Sequence, residues 1–304
     1  MTTTRTTVDW EKTFTAWTQP SSDSEKEKYE HAESMIRDAI RGNSWLADKV
    51  ARVYAKGSYP NNTNVRLDSD VDICVEAGCF FFDYLAVPSF SADAAGIVVP
   101  CAYTFADYKN EVENALVAKF GRAGVTRGDK AFDVHENSYR VDADVVACWG
   151  HRRYVDQYNY IEPMGTQFYS DSGKEVINWP QQQHDNGVAK NKATGGRFKL
   201  ITRAVKRLRN EMAEEGITAA YPMASYLIEC LMWNVPSDCF GHDTYSGDIR
   251  DALIHLYNET KSEAACSEWG EINELKYLFR SSQPWTREQV KAFVLAAWGY
   301  VGFE

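Results

Sequence analysis

The run Asp70-Val71-Asp72-Ile73-Cys74-Val75 constrains this chain more than any other stretch. Its alternation of polar and apolar residues predicts a strand, and residues two apart on a strand share a face, so Asp70 and Asp72 are expected to project together. Two carboxylates a few ångströms apart repel each other unless a cation lies between them. Mg2+ favours that arrangement, since it takes one or two carboxylates and completes its shell with water and phosphate oxygens. A bare DxD pair also occurs as two solvated aspartates at a strand end. Asp68 continues the alternation, but it is placed in the preceding loop as a turn residue.

Flanking residues sharpen the reading. Val53-Tyr54-Ala55 predicts a short strand leading into Gly57-Ser58, with eleven residues between Ser58 and Asp70. A glycine there lets backbone amides come close to a phosphate, and the Ser58 hydroxyl can donate to a phosphate oxygen. Between Tyr59 and Ser69 the chain is polar, with Asn61, Asn62, Asn64 and Pro60, and reads as a loop. A third carboxylate is expected from the later strand Tyr139 to Val146, where Asp142 and Asp144 repeat the DxD spacing.

Around this segment the chain divides into a mixed α/β half and a helical half. Ser24 and Glu27 have capping-box spacing ahead of a first helix, and Phe105 to Phe120 carries one apolar stripe closed by Gly121. Strands are predicted at Val125–Arg127, Ala131–His135 and Ser138–Cys148, and a hairpin near Gln167–Ile177. Residues 79 to 103 read only as a loop or insertion. Beyond about residue 185 the pattern is helical, ending in a helix capped by Thr286 and Gln289. The expected fold class is α+β, with a core at 1–184 that includes a bridging N-terminal helix and a helical domain at 185–304.

A formal charge of −10 argues against a surface that coats long nucleic acid. Eight Lys or Arg residues nevertheless fall between Lys190 and Arg209. On the predicted helix from Arg197, Lys199, Arg203 and Lys206 share a face, which is either a solvated basic surface or a contact for a triphosphate. Lys199 is the favoured contact. A buried helix opens at Ser225-Tyr226, where Ser225 could meet a γ-phosphate and Tyr226 could stack on a base or pack in the core. His135, His151, His184 and His242 lack metal-ligand spacing. Seven cysteines without a CxxC pair read as reduced, buried thiols. No apolar run approaches the roughly 20 residues that cross a bilayer, and no signal peptide is seen, so a cytoplasmic location is expected.

The stretch Gly57 to Asp72 resembles the signature of the polymerase-β-like nucleotidyltransferases, and within them the bacterial cGAS/DncV-like nucleotidyltransferases (CD-NTases), especially the CdnE-like branch. Further resembling segments are Val141–Val146, Ile177–Pro180, Asn186–Asn191 and Pro222–Leu231. The resemblance implies a polymerase-β-like core and an enzyme that joins nucleoside triphosphates, ATP among them, into a cyclic di- or trinucleotide for anti-phage signalling. Two Mg2+ ions, with Mn2+ able to substitute, would be held by Asp70, Asp72 and Asp144, with Asp142 as the fallback. Gly57, Ser58, Lys199, Arg203, Ser225 and Tyr226 would bind nucleotide, and defence-operon proteins would be partners. Two rivals are a nucleotidyltransferase acting on an RNA end or small-molecule acceptor, and a catalytically silent nucleotide sensor.

Overall fold

The computed structural model describes residues 9–65, 70–84, 101–137, 140–154 and 160–303. The chain falls into two compact units: a sheet unit of Ser22–Pro60 and Asp68–Gln182, and a helical unit of Met1–Ser21, Asn61–Leu67 and Gln183–Glu304. The sequence reading kept 1–184 together. The N-terminal helix and 61–65 belong instead with the helices, because Phe14 is fully buried among helical-unit side chains and Asn62 and Thr63 accept from Arg203 and Lys206.

In the sheet unit, β1 (Val50–Lys56), β2 (Val71–Tyr84), β5 (Ala143–Tyr154), β4 (Phe132–Val134) and β3 (Val125–Arg127) lie side by side in that order. Strands β6 (Tyr160–Tyr169) and β7 (Glu175–Asn178) extend it from another part of β5. The β2–β5 pair is parallel and the remaining pairs are antiparallel. A parallel pair needs a long crossover, and helix α4 (Phe105–Phe120) lies within it.

Alternation on β2 does what its sequence promised. Val71, Ile73 and Val75 are fully buried against Ile36 and Ile40 of helix α2 (Asp23–Arg41) and Tyr108, Val112 and Leu116 of α4. The opposite face carries Asp72 and Glu76, with Cys74 between them buried against Val146, Cys148 and Phe168. Helix α2 begins two residues earlier than its sequence suggested: the capping box is Ser22 with Glu25, whose carboxylate returns to the Ser22 backbone N–H at 2.8 Å. Ahead of it stands α1 (Trp10–Trp17), which the sequence reading missed.

The helical unit contains α5 (Pro180–Ala193, which starts in the sheet unit), α6 (Arg197–Glu214), α7 (Ser225–Asn234), α8 (Tyr245–Thr260) and α9 (Arg287–Val301). The single turn α3 (Ser58–Asn61) runs from one unit's residues into the other's. The α6 stripe Phe198, Ile201, Val205, Leu208 and Met212 is buried with Leu227, Ile228 and Leu231 of α7. Among the described residues no helix is long and apolar enough to cross a membrane.

The residues 79–103, expected as loop, divide. Cys79 and its neighbours to Tyr84 continue β2, while 85–100 lie outside the described residues. Cys79 and Cys101, with Cα atoms 6.1 Å apart, form a disulfide, which corrects the expectation of seven reduced thiols.

Candidate active site

The sheet register builds the site. Lys56 of β1 stands opposite Asp72 of β2, Asp72 opposite Asp144 of β5, and Asp144 opposite Asp133 of β4. One cation and three carboxylates therefore cross four neighbouring strands in a single row, about 5 Å from strand to strand. Asp70 precedes β2 and is exposed, whereas Asp72 and Asp144 are half-buried. The apolar partners of these residues point the other way, and that burial locks the register, since a one-residue slip would turn the carboxylates into the core.

Asp144, rather than Asp142, is Asp72's register partner. Asp142 instead accepts the Val71 backbone N–H through its carbonyl (3.0 Å) and the Glu136 N–H through its side chain. Burial, followed by the charges of Asp72, Asp70 and Asp133, pushes the Asp144 carboxyl up to about 6. An all-oxygen set that resists its own ionisation in this way fits a hard divalent cation.

Gly57 closes one side. Its φ is +73°, a conformation that favours glycine, and a β-carbon there would displace the Asp72 carboxylate. Ser58 follows at the start of α3. Tyr59 stacks on Tyr29 of α2 with ring centroids 4.8 Å apart, which anchors this turn inside the sheet unit. Further along the carboxylate face, Arg52 (2.8 Å) and Tyr54 (3.0 Å) donate to the buried Glu76, and Phe168 covers Cys74 and Cys148.

Within the helical unit the expected nucleotide residues separate into two kinds. Arg203 is 3% exposed: its Nε and one terminal nitrogen donate to the Thr18 carbonyl at 2.9 and 2.6 Å, and its other nitrogen donates to the Asn62 carbonyl. Its donors are spent on the chain itself. Lys206 is equally buried, paired with Glu229 and donating to the Thr63 carbonyl at 3.0 Å. Lys199 is half-buried, and no hydrogen bond from its ammonium is found among the described residues. Burial holds that ammonium below its ordinary range, against the pull of Glu229.

Ser225 opens α7 and is exposed, with Arg209 donating to its hydroxyl at 2.9 Å. The Tyr226 hydroxyl donates to Glu271 at 3.0 Å, and its ring lies 6.4 Å from Trp285. Sequence reasoning missed Lys56 and Asp133, although Phe132-Asp133-Val134 carries the same alternation as β2. His135, read as lying outside any ligand cluster, joins Asp133 and Asp142 with potential ligand atoms all within 4.8 Å of one another. His151, His184 and His242 sit beside Gln167, Asn61 and Asp251.

Residues 185–302 match the model of the cGAS/DncV-like nucleotidyltransferase C-terminal helical domain. A cyclic dipyrimidine nucleotide synthase CdnE from Legionella pneumophila is 50% identical over 295 residues, 97% of this chain and 98% of the relative. A second enzyme of that name, from Cecembia lonarensis, is 43% identical over 96% of this chain and 98% of its own length. The solved structure of the Elizabethkingia meningoseptica CdnE cyclic dinucleotide synthase with GTP and Apcpp superposes with a TM-score of 0.79 at 31% identity, covering 96% of this chain and 99% of that one. With this similarity along nearly its whole length, the chain belongs to the CdnE branch of the cGAS/DncV-like nucleotidyltransferases.

Proposed function

We propose that this chain is a cyclic dinucleotide synthase that joins two pyrimidine nucleoside triphosphates into a ring and releases pyrophosphate. The observation that carries the reading is the in-register pair Asp72 and Asp144, with Asp70 beside them and Gly57 held against Asp72. The choice of pyrimidines follows the two dipyrimidine synthases at 50% and 43% identity.

Asp70, Asp72 and Asp144 are the proposed ligands for two Mg2+ ions, or Mn2+ in their place. Bound divalent cations at such a site activate a hydroxyl and neutralise developing phosphate charge. The chain's own groups do the remaining work. The Gly57 turn brings backbone amides and the Ser58 hydroxyl to the triphosphate. Lys199 is the proposed cation for the leaving pyrophosphate and Ser225 a γ-phosphate contact. Glu271 holds the Tyr226 ring in place for base stacking. Arg203, with its donors already engaged, is left out of the nucleotide contacts. The acceptor hydroxyl of one nucleotide gives up its proton and attacks the α-phosphorus of the next, the bond from that phosphorus to the leaving pyrophosphate breaks, and a second such step closes the ring.

The proposed setting is the cytoplasm, where the triphosphates are, with anti-phage signalling as its role and defence-operon proteins as partners. Omitting one triphosphate at a time from a labelled mixture tests the reading. Product that resists phosphatase should survive omission of ATP and GTP and vanish without pyrimidines. Dependence on a purine would refute the base assignment, and product wholly sensitive to phosphatase would refute ring closure.

A further inference from the structure

Lys56 ends β1 directly ahead of Gly57 and stands opposite Asp72 in the sheet register. Asp72 in turn faces Asp144, and Asp144 faces Asp133. All four residues belong to the sheet unit. Side chains at paired positions rise from one face of a sheet, so the lysine stem leaves the same surface as the carboxylates.

Other cations of this unit are closed on acidic partners. Arg52 meets Glu76 at 2.8 Å, Lys109 meets Asp171 at 2.7 Å, and Arg127 meets Glu113 and Asp171 at 2.6 Å each. Lys56 is different. It is half-buried, and among the described residues its ammonium makes neither a hydrogen bond nor an ion pair. A lysine usually keeps its head in water, and one partly withdrawn from water with no bonded partner needs a compensating field. The carboxylate row supplies that field. The effect is mutual, since Lys56 favours the ionised form of Asp144 against burial and the charges of Asp72, Asp70 and Asp133. Coulomb attraction falls only as the inverse of distance, so one charge beside a row acts on several of its members at once.

The same charge works against a divalent ion. Repulsion among Asp70, Asp72, Asp144 and Asp133 is what gives an empty site its appetite for cations. An ammonium one strand away relieves part of that repulsion while the site is empty, and it repels an ion seated among the carboxylates.

We infer that Lys56 is the resident counter-ion of this row, a positioning residue that offsets repulsion among the carboxylates of the nucleotide-free chain and so lowers their affinity for divalent cations. The inference rests on the reading of Asp70, Asp72 and Asp144 as metal ligands. It differs from a triphosphate contact, and the two roles separate in experiment. Loss of a triphosphate contact raises KM and leaves ion binding to the free chain as it was. Loss of a counter-ion tightens ion binding with no nucleotide present.

The test uses the full-length, nucleotide-free chain with Mn2+ alone, at a single pH where Asp144 is ionised. Unbound Mn2+ is followed by electron paramagnetic resonance for the wild type, Lys56→Met, Lys56→Gln, Lys56→Arg and Asp72→Asn. Lys56→Met and Lys56→Gln are expected to lower the Mn2+ Kd by about tenfold or more, and Lys56→Arg to stay within about twofold of wild type. The rise in melting temperature on adding Mn2+ should be larger in the two neutral variants. A residue that merely props the sheet would give weaker binding when replaced. An unchanged or higher Kd in the folded neutral variants would therefore overturn the inference, as would Lys56→Arg binding as tightly as Lys56→Met. Should Lys56→Met not fold, Lys56→Gln decides. Wild-type Mn2+ binding in Asp72→Asn would instead remove the metal-ligand reading, whatever stands at position 56.

Discussion

Gly57 and Asp72 share one corner of the sheet unit, where a β-carbon on the glycine would push into the carboxylate oxygen of the aspartate. The turn that presents Ser58 and the strand that presents Asp72 are therefore fitted to each other. Gly57→Ala meets two obstacles, a positive φ and a carboxylate that must move. Displacing a reacting group by an ångström can cost about 100-fold, so pyrophosphate release should fall by roughly that factor. Strain of about 1–3 kcal/mol should also lower the melting temperature. Unchanged turnover would show that Asp72 can move without penalty.

Asp144 and Asp142 are separated by the register. Asp144→Asn should lower turnover by about three orders of magnitude, in line with the several kcal/mol that metal-held charge supplies in phosphoryl transfer. Asp142→Asn should stay within about tenfold of wild type, because its side chain serves the Glu136 backbone. Steady-state rates of the two variants decide between them, and the reverse ranking would move the site one strand repeat.

Metal and pH are linked through Asp144. Its carboxyl is raised on folding from 3.8 to about 6, by burial first and then by Asp72, Asp70 and Asp133. A group raised in this way contributes stability below its unfolded value, and that contribution is lost as pH rises through about 6. Cation binding needs the ionised form and removes the repulsion. The increase in melting temperature on adding Mg2+ should therefore grow between about pH 4 and 6, and Asp144→Asn should flatten that growth. Thermal scans with Mg2+ and with chelator at each pH measure it; a Mg2+ effect independent of pH in the wild type would contradict the assignment.

The Lys206–Glu229 pair gives a stability prediction of its own. Lys206→Met leaves a buried carboxylate whose cation is gone, a change that costs about 3–5 kcal/mol. The double variant Lys206→Met/Glu229→Leu removes the stranded charge and should regain a large part of it. Urea unfolding of the three proteins provides the comparison, and additive losses would mean that the two residues do not act as a pair.

Much of this was legible in the residues themselves. Alternation through Val71, Ile73 and Val75 fixes which face of β2 is buried and therefore where Asp72 points. Phe105 to Phe120, with Gly121 after it, marks a helix at both ends, and Thr286 with Gln289 caps the last one as read. What local pattern could not supply was pairing between distant segments. The preference for Asp144 over Asp142 comes from the resemblance alone, whereas its pairing with Asp72 is visible only in the β2–β5 register. Arg203 and Lys206 lie on a basic helical face that spacing alone assigns to solvent or phosphate, while their actual partners, Asn62 and Thr63, are about 140 residues away. Ser22 and Ser24 both precede an acidic residue by three, so the cap between them was set by packing of α2 rather than by the motif.

The most direct measurement is mass spectrometry of the phosphatase-resistant products made from all four triphosphates and Mg2+ by the wild type and by Asp70→Asn/Asp72→Asn. The wild type should yield a cyclic dinucleotide containing two pyrimidines, and the double variant none. Linear products alone from the wild type, or the same cyclic product at the same rate from the variant, would contradict the account.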